Sequence, residues 1–489
     1  MKKQLFKKNV NPQSKLNWKY FSINFISLGI ISLLFSFFID NNSWYFHTYF
    51  CIISILISFF HILKIIKLDF VIFLYDFRII FLISYTFYFI IGASVLTFGT
   101  PGDIGILMNR FSIDAAPLAL KIDAMNSIGF GLALLTYTFS KPIVLSKSIE
   151  SFITCFNNIN NLKLFNYITI LGITTKGYVI ANDLAVFGDA VVVPGIIRQL
   201  SQLSIAAILF SALYDGKRHS SINNISFLIS ILLSFFGLLG FSKTDFILPL
   251  IIFGVGTAIR KKSTFVLIST IFFGFVLIQL CGGIIQYARI NHFRSMTLKN
   301  RFEIVSEGFQ LANNFFSNSP TEDIQYSTLT RISYINAQSA AVHFYDEDNG
   351  SNDYKLLPFT FIPRILYSDK PILTTSGSEL NYKMKGHDGS TEGTGIFIDG
   401  YYNLGWFGLI LFSTICGWIL AQVSSISKLI LRTNFILFYP FILFGIYMAF
   451  RIDGTFLSDY FGQFIIILYT IIIFYFIKVF IISEKKLQF

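Results

Sequence analysis

The sequence FSINFISLGIISLLFSFFI, residues 21–39, decides the fold class of this protein. It contains no charged side chain, and about 20 apolar residues are enough to carry an α-helix across the hydrocarbon core of a bilayer. A basic, polar segment precedes the run, and no A-x-A cleavage site follows it. The run therefore predicts a first membrane helix rather than a cleaved signal peptide.

Similar apolar runs recur along the whole chain. They lie at residues 46–66, 79–98, 118–139, 165–181, 199–214, 222–240, 245–259, 264–285, 404–423, 434–450 and 461–482. Only 13% of the residues are charged, whereas soluble proteins carry about 25%. Together with the first run, this pattern predicts an all-α polytopic membrane protein of about twelve transmembrane helices. Nine of them are expected in residues 1–285 and three in residues 404–489.

The charges between the runs predict how the helices are oriented. Clusters of Lys and Arg alternate with connections that are acidic or nearly neutral, such as IDNNS at residues 39–43. Basic connections stay on the cytoplasmic side of a membrane, so both termini are expected in the cytoplasm and residues 286–403 on the outer side. The net charge of +11 is spread over these short clusters, which is not the pattern of a nucleic-acid-binding patch.

Residues 286–403 are the one long polar segment and are expected to form a periplasmic loop between the ninth and tenth membrane helices. Amphipathic spacing predicts helices near 293–316 and 326–345. The acidic sequence at 346–354 predicts a turn. Mostly irregular chain is expected at 376–400, because glycine interrupts it too often for a regular element.

Six basic residues fall on the predicted outer side, where the positive-inside rule disfavours them. They are Arg198, Lys243, Arg331, Arg364, Lys370 and Arg451. An arginine grips phosphate oxygens through two parallel hydrogen bonds and keeps its charge, so the group predicts a diphosphate-binding site at the outer membrane boundary. The alternative for each residue is snorkelling, or pairing with Asp183, Asp189, Asp245 or Asp453.

Three residues in and after the Gly-rich stretch are candidate general bases for a hydroxyl nucleophile: His387, Glu392 and Asp399. The alternative is that they are solvated loop residues. Residues 346–348, Asp-Glu-Asp, match the D-x-D pattern of metal-dependent glycosyltransferases, but the match lies in an acidic turn and does not predict a metal site.

The cysteines give no sign of a disulfide framework or a metal centre. Cys51, Cys155, Cys281 and Cys416 lie far apart, in or beside apolar runs, without a C-x-x-C pair or a Cys/His metal spacing. Neither a metal nor another cofactor is therefore expected.

The arrangement of twelve spans with one large outer loop between spans nine and ten resembles the bacterial O-antigen polymerases (Wzy) and related oligosaccharide repeat-unit polymerases. The sequence PFTFIPRILYSDKP (358–371) resembles the family's Pro-Arg…Lys-Pro segment, and IDGYYNLGWFG (398–408) resembles the place where the loop returns to the membrane. LGFSKTDFILPLI (239–251) resembles the family's Gly-x-Ser-Arg/Lys turn. VPGIIRQLSQL (193–203) and RIDGTF (451–456) resemble its basic boundary segments.

The resemblance implies a GT-C-like glycosyltransferase of the bacterial inner membrane with its active site on the periplasmic side. Such enzymes transfer the growing glycan from undecaprenyl diphosphate to the terminal sugar of a new lipid-linked repeat unit. Donor lipid, acceptor lipid, the bilayer, a chain-length regulator and a flippase are then the implied partners. The six basic residues would bind diphosphate, and Tyr401 and Asn403 would line the sugar site. The family more often has Glu where this chain has Asp399.

Other functions fit the same pattern. An O-antigen ligase would use the same chemistry on a lipid A–core acceptor and would share the large outer loop. A lipid-linked oligosaccharide flippase or another transporter would also have twelve spans, but its charges would line a central cavity and its loops would be short. A structural or sensory membrane protein, whose loop binds a partner, is the third alternative.

Overall fold

The computed structural model describes residues 17–38, 43–66, 70–99, 104, 117–141, 161–183, 197, 200–214, 219–274, 276–277, 281, 301–307, 332–362, 367, 369, 375–386, 393–433, 438–461 and 464. Over these residues the chain forms helices and turns and no β-strand. A helix satisfies its own backbone hydrogen bonds, which hydrocarbon surroundings require.

The helices follow the apolar runs of the sequence. The first nine are α1 Trp18–Phe38, α2 Ser43–Ile66, α3 Phe77–Phe98, α4 Ala119–Phe139, α5 Asn161–Asp183, α6 Leu203–Leu213, α7 His219–Leu239, α8 Lys243–Lys261 and α9 Thr264–Gly274. The next four are α10 Ile335–Asp346, α11 Thr375–Lys385, α12 Ile396–Thr433 and α13 Tyr439–Phe450.

Five of the described helices are long and apolar enough to cross a membrane, namely α1, α2, α3, α7 and α12. Helices α6, α9 and α13 are apolar but shorter. Large apolar side chains such as Phe37, Phe60, Leu228 and Phe272 stand exposed on the outside of the bundle. Apolar surface on this scale suits lipid rather than water, so the described part is that of an α-helical membrane protein.

Contacts between helix ends show how the first four helices and α12 run. The Trp18 ring, at the start of α1, lies 4.7 Å from the His61 ring near the end of α2. The Arg78 guanidinium, at the start of α3, lies 4.8 Å from both the Trp18 ring and the Tyr137 ring near the end of α4. Gln422, late in α12, donates to the Lys141 carbonyl just beyond α4. The helices therefore alternate in direction.

The two ends of this bundle differ in charge. One end, here called the basic end, carries Lys64, Arg78, Lys141, Lys428 and Arg432. The other, here called the loop end, is where α10, α11 and the start of α12 lie. There, the ammonium nitrogen of Lys121, at the start of α4, lies 2.5 Å from a carboxylate oxygen of Asp346, at the end of α10. The sequence predicts that the basic end faces the cytoplasm.

Close packing of small residues holds α12 against α4. A Cβ atom at Gly417 would overlap the carbonyl oxygen of Ala133, and one at Gly129 would lie 2.6 Å from the Phe397 ring. Helices in a membrane gain little from the hydrophobic effect between them and rely on such close approach. The glycines therefore fix where α12 sits, and with it the residues at its start.

The structure departs from the sequence expectation between residues 375 and 404. The segment expected to be mostly irregular contains the helix α11 and the first turns of α12. The expected start of the tenth span, residue 404, is instead a break inside α12, where Leu404 and Gly405 leave helical geometry. Gly405 has φ of +62°, which a residue with a Cβ rarely adopts. Gly405 therefore marks a kink between the two helical parts of α12.

Candidate active site at the loop end

The start of α12 is locked to the segment that follows α13. The N–H of Gly395 donates to the Asp453 carbonyl at 3.1 Å, and the N–H of Ile396 donates to the Ile452 carbonyl at 3.0 Å. Residues 393–396 are here called the return segment. A Cβ at Gly393 would overlap the Asp453 carbonyl oxygen, so only glycine permits this approach. Two segments that are far apart in sequence are thereby joined.

Asp399, a candidate base, lies inside this joint with only 2% of its surface exposed. Its carboxylate accepts a hydrogen bond from the N–H of Phe456 at 2.8 Å and another from the Ser376 hydroxyl at 3.3 Å. The Asn403 amide also donates to Oδ1 of Asp399 at 3.5 Å. A buried carboxylate held by several donors fixes the geometry of its surroundings. The arrangement ties α12 to α11 and to the segment after α13.

Tyr401 and Asn403, the expected sugar-site residues, are both buried. The Tyr401 hydroxyl donates to Oδ1 of Asp346 at 2.7 Å. The Asn403 amide donates to the Asp399 carbonyl at 2.9 Å, one helical turn earlier. Both side chains are therefore buried and hydrogen-bonded within the protein.

Arg451 lies at the end of α13 with 31% of its side chain exposed. Its Nη1 donates to the Tyr447 hydroxyl at 3.0 Å, and its guanidinium lies 5.5 Å from the Tyr447 ring. Its Nε lies 3.5 Å from Oδ1 of Asp453. The pairing with Asp453 that the sequence left as an alternative is therefore present. It holds the guanidinium in a defined orientation at the partly exposed rim.

A tyrosine from the large loop completes this rim. The Tyr334 hydroxyl donates to Oδ2 of Asp453 at 2.8 Å, and its ring lies 5.7 Å from the Tyr88 ring of α3. Burial, followed by the negative charge of Asp453, raises the pKa of Tyr334 well above its usual value. Tyr334 is therefore a neutral donor at physiological pH. Arg451, Asp453 and Tyr334 form one connected polar group, here called the rim cluster.

The buried side-chain amides of Asn126 and Gln338 hold the return segment in place. The Gln338 side chain donates to the Thr394 carbonyl at 2.9 Å. It also accepts from the Asn126 amide at 3.2 Å. Helices α4 and α10 thus position the return segment through hydrogen bonds that are hidden from solvent, which makes them costly to break.

The D-x-D match at residues 346–348 is engaged within the protein. Both carboxylate oxygens of Asp346 are bonded, one to Lys121 and the other to Tyr401. Asp348 occupies the turn beyond α10 with a positive φ of 58°, a conformation that Asp adopts more readily than most residues. The motif serves the fold of the loop, through Asp346 and the turn.

The turn before Lys243 is covered by an arginine from the large loop. Nη1 of Arg301 donates to the Leu239 carbonyl at 3.1 Å, and the guanidinium lies 5.2 Å from the Phe241 ring. Lys243 is the first residue of α8. Asp245, one of the anticipated partners of the outer cations, bonds instead to Lys176 of α5 at 2.8 Å. This ion pair explains how a lysine is accommodated in so apolar a helix.

Several predicted site residues lie outside the described residues, so their predicted roles are unchanged. They are His387, Glu392, Arg198, Arg331, Arg364 and Lys370. Of the predicted site residues that are described, the structure brings Asp399 and Arg451 into one joint. Tyr401 and Asn403 follow Asp399 on the same helix.

Tyr334, Gln338 and Asn126 belong to the site but were missed at the level of sequence. Each is a single polar residue in an ordinary helical or loop sequence, and its partner is remote: 212 positions separate Asn126 from Gln338. The one available signal was polarity inside the otherwise apolar run 118–139, where Asp123 and Asn126 stand one turn apart. Polar residues inside membrane helices are costly and are commonly functional.

Comparison with known proteins does not assign the chain to a family. No family model matches it, and no curated protein and no solved structure is significantly similar to it.

Proposed function

We propose that this protein is a surface-polysaccharide polymerase that transfers a growing glycan from undecaprenyl diphosphate to the terminal sugar of a new lipid-linked repeat unit. Glycosyl transfer of this kind needs a cation at the departing diphosphate and a base at the attacking hydroxyl. It also needs lipid-facing helices beside the reacting groups. In support of the proposal, the loop end of the bundle carries the partly exposed Arg451 beside apolar helices.

The observation that carries the proposal is the joint between the return segment and residues 451–456. It brings Arg451 to the rim of the membrane bundle, oriented by Tyr447 and Asp453 and still partly exposed. An arginine has five N–H donors in a planar fork, so it can bind phosphate oxygens while its contact with Tyr447 persists. Arg451 would stabilise the charge that builds on the leaving diphosphate, with Arg198, Lys243, Arg331, Arg364 and Lys370 as further ligands.

We assign the general base to Glu392 and a positioning role to Asp399. Glu392 immediately precedes the return segment in the sequence and lies outside the described residues. Asp399 accepts hydrogen bonds from Phe456 and Ser376 in a buried position, so it holds the joint together. His387 is retained as the alternative base.

The proposal includes twelve spans and an outer location for the loop end. The alternation of α1 to α4, with basic residues gathered at one end, supports this orientation in the inner membrane. Both termini would then be cytoplasmic, and the rim cluster would face the periplasm, where lipid-linked repeat units arrive.

Deleting the gene and examining surface polysaccharide on a gel tests the assignment. A polymerase deletion leaves lipid A–core bearing a single repeat unit, and the wild-type gene restores the ladder. Core without any repeat unit would overturn the proposal in favour of a ligase or a flippase. Glu392→Gln should give the single-repeat phenotype, whereas Glu347→Gln, at the exposed turn after α10, should restore the full ladder. A full ladder from Glu392→Gln would remove Glu392 as the base.

A further inference from the structure

A fully buried group of three polar side chains lies at the loop end of α2 and α4 and takes no part in the proposed transfer. His47 and Cys51 are 0% exposed, and Asp123 is 1% exposed. Nδ1 of His47 lies 2.6 Å from Oδ2 of Asp123, and Nε2 of His47 lies 3.7 Å from Sγ of Cys51. One potential ligand atom from each residue falls within 4.8 Å of the others.

The donor separations match those of a tetrahedral zinc ion. Zinc binds histidine nitrogen at about 2.0–2.1 Å and cysteine sulfur at about 2.3 Å, so its N and S ligands stand roughly 3.5 Å apart. His47 and Cys51 are four residues apart on α2, which puts them on the same face of the helix. The 3.7 Å between Nε2 and Sγ therefore leaves room for an ion bound to both.

A third donor faces the same nitrogen. The carbonyl oxygen of Ala93, on α3, lies 3.2 Å from Nε2 of His47. That oxygen also accepts the N–H of Leu96, and a carbonyl oxygen has two lone pairs. An ion at Nε2 would thus meet sulfur, nitrogen and oxygen from two different helices.

Asp123 occupies the position of an orienting carboxylate. Metal-bound histidines commonly donate their other ring N–H to a carboxylate, which fixes the ring and raises its basicity. The short contact between Nδ1 and Asp123 supplies this interaction. The arrangement also gives a reason for an aspartate in the apolar interior of a membrane helix, because a bound cation would offset its charge.

We propose that His47 and Cys51 bind a Zn²⁺ ion through Nε2 and Sγ, with the Ala93 carbonyl as a further donor and Asp123 holding the imidazole. Thiolate and imidazole together favour zinc over Mg²⁺ or Ca²⁺, which take oxygen ligands. The ion would join the loop-end termini of α2 and α3, and through Asp123 also that of α4.

The site has a structural connection to the return segment. Asp123 lies one helical turn before Asn126, which bonds to Gln338, which in turn bonds to the Thr394 carbonyl. A zinc ion that fixes the start of α4 would therefore also help to position the return segment. The assignment of the metal does not depend on the proposed enzyme activity.

The test is the metal content and the cobalt spectrum of the full-length protein, purified in detergent. After incubation with Zn²⁺ and dialysis, the wild type should retain one zinc per chain, and Cys51→Ser and His47→Ala should retain none. Cys416→Ser is the matched control, because Cys416 is equally buried, on α12. It should keep the metal. Asp123→Asn should weaken zinc binding about 10- to 100-fold.

Cobalt in place of zinc reports the ligands directly, through the spectra of the wild type, Cys416→Ser and Cys51→Ser. The wild type and Cys416→Ser should show a sulfur-to-cobalt charge-transfer band, and Cys51→Ser should lack it. Folded wild-type protein that retains no zinc would overturn the proposal. So would a cobalt spectrum without the thiolate band, or one that Cys51→Ser leaves unchanged.

Discussion

At the scale of single residues, the loop end depends on polar side chains whose partners come from distant parts of the chain. Asp399 receives the N–H of Phe456, and Asp453 receives the hydroxyl of Tyr334. In both cases a carboxylate with little exposure is satisfied by donors that the fold brings to it. Removing one partner of such a pair leaves the other desolvated, which costs more than the bond itself contributes.

Asp399→Asn tests the positioning role at this scale. The neutral amide oxygen is a weaker acceptor for the Phe456 N–H, so the free energy of unfolding should fall by about 1–3 kcal/mol. Chemical unfolding in detergent measures it. Asp348→Asn is the control, since Asp348 is exposed at a turn and Asn tolerates positive φ. It should stay within about 0.5 kcal/mol of wild type. Equal stability of the two variants would refute the role of Asp399.

Tyr334 gives a prediction about pH. Its pKa is raised in the folded protein by burial and by Asp453, so folding stabilises the protonated phenol. That contribution is complete below the unfolded pKa, about 10. It is lost as the pH rises above that value, because only the unfolded chain then releases the proton.

The wild type should therefore lose stability above about pH 10 more steeply than Tyr334→Phe does. Unfolding temperatures between neutral and alkaline pH provide the measurement. Tyr382→Phe, which changes an exposed tyrosine on α11, should keep the wild-type slope. Parallel curves for wild type and Tyr334→Phe would show that the phenol is not held in its protonated form.

At the scale of helices, apolar runs and charge clusters predicted most of the described elements. The runs at 21–39 and 222–240 correspond to α1 and α7 within a few residues, because length and hydropathy alone fix a helix that must cross hydrocarbon. The start of α12 was missed, since Asp399 and Gly400 interrupt its hydropathy. Its helical form depends on tertiary bonds from residues 451–456, which local sequence does not encode.

The break in α12 carries its own prediction. Gly405 has φ of +62° and ψ of −149°, a region that is nearly closed to other residues. A Cβ there would lie 2.5 Å from the Tyr345 hydroxyl. Gly405→Ala should therefore destabilise the protein by about 1–3 kcal/mol.

Gly177→Ala on α5 is the matched control for the break. A Cβ at Gly177 meets nothing within 4 Å, and alanine favours a helix over glycine by about 1 kcal/mol. Chemical unfolding in detergent measures the free energy of unfolding of both variants. A loss of stability in Gly177→Ala as large as that in Gly405→Ala would refute a special backbone requirement at Gly405.

At the scale of the whole molecule, two ends of unlike charge were predictable, but the residues grouped at the loop end were not. Basic clusters alternate along the sequence, and this pattern anticipates a basic end. The grouping of His47 with Asp123 spans 76 positions. The spacing of His47 and Cys51 is hidden in an apolar run, so only the packing of α2 on α4 reveals the group.

The predicted orientation can be checked by labelling single cysteines in a background that lacks the native ones. A membrane-impermeant maleimide, applied to cells with a permeabilised outer membrane, should label Asp348→Cys at the loop end. It should label Arg432→Cys at the basic end only after lysis. Both parent residues are exposed, so access depends on the side of the membrane. The reverse pattern would contradict a periplasmic loop end.

We propose that the rim cluster, through Arg451, assists glycan transfer between lipid diphosphates. If Arg451 donates to the leaving diphosphate as proposed, removal of its guanidinium should slow extension about 10²- to 10³-fold. Lysine should not rescue it fully, because it lacks the planar fork. Arg432→Ala, an exposed arginine at the basic end, is the matched control.

The most direct measurement is extension of undecaprenyl-diphosphate-linked repeat units by the purified protein in liposomes. We expect a ladder of products for the wild type and Arg432→Ala, and little or no ladder for a folded Arg451→Ala protein. A folded wild-type protein that leaves the lipid-linked units unextended, or an Arg451→Ala protein that extends them at the wild-type rate, would contradict the proposal.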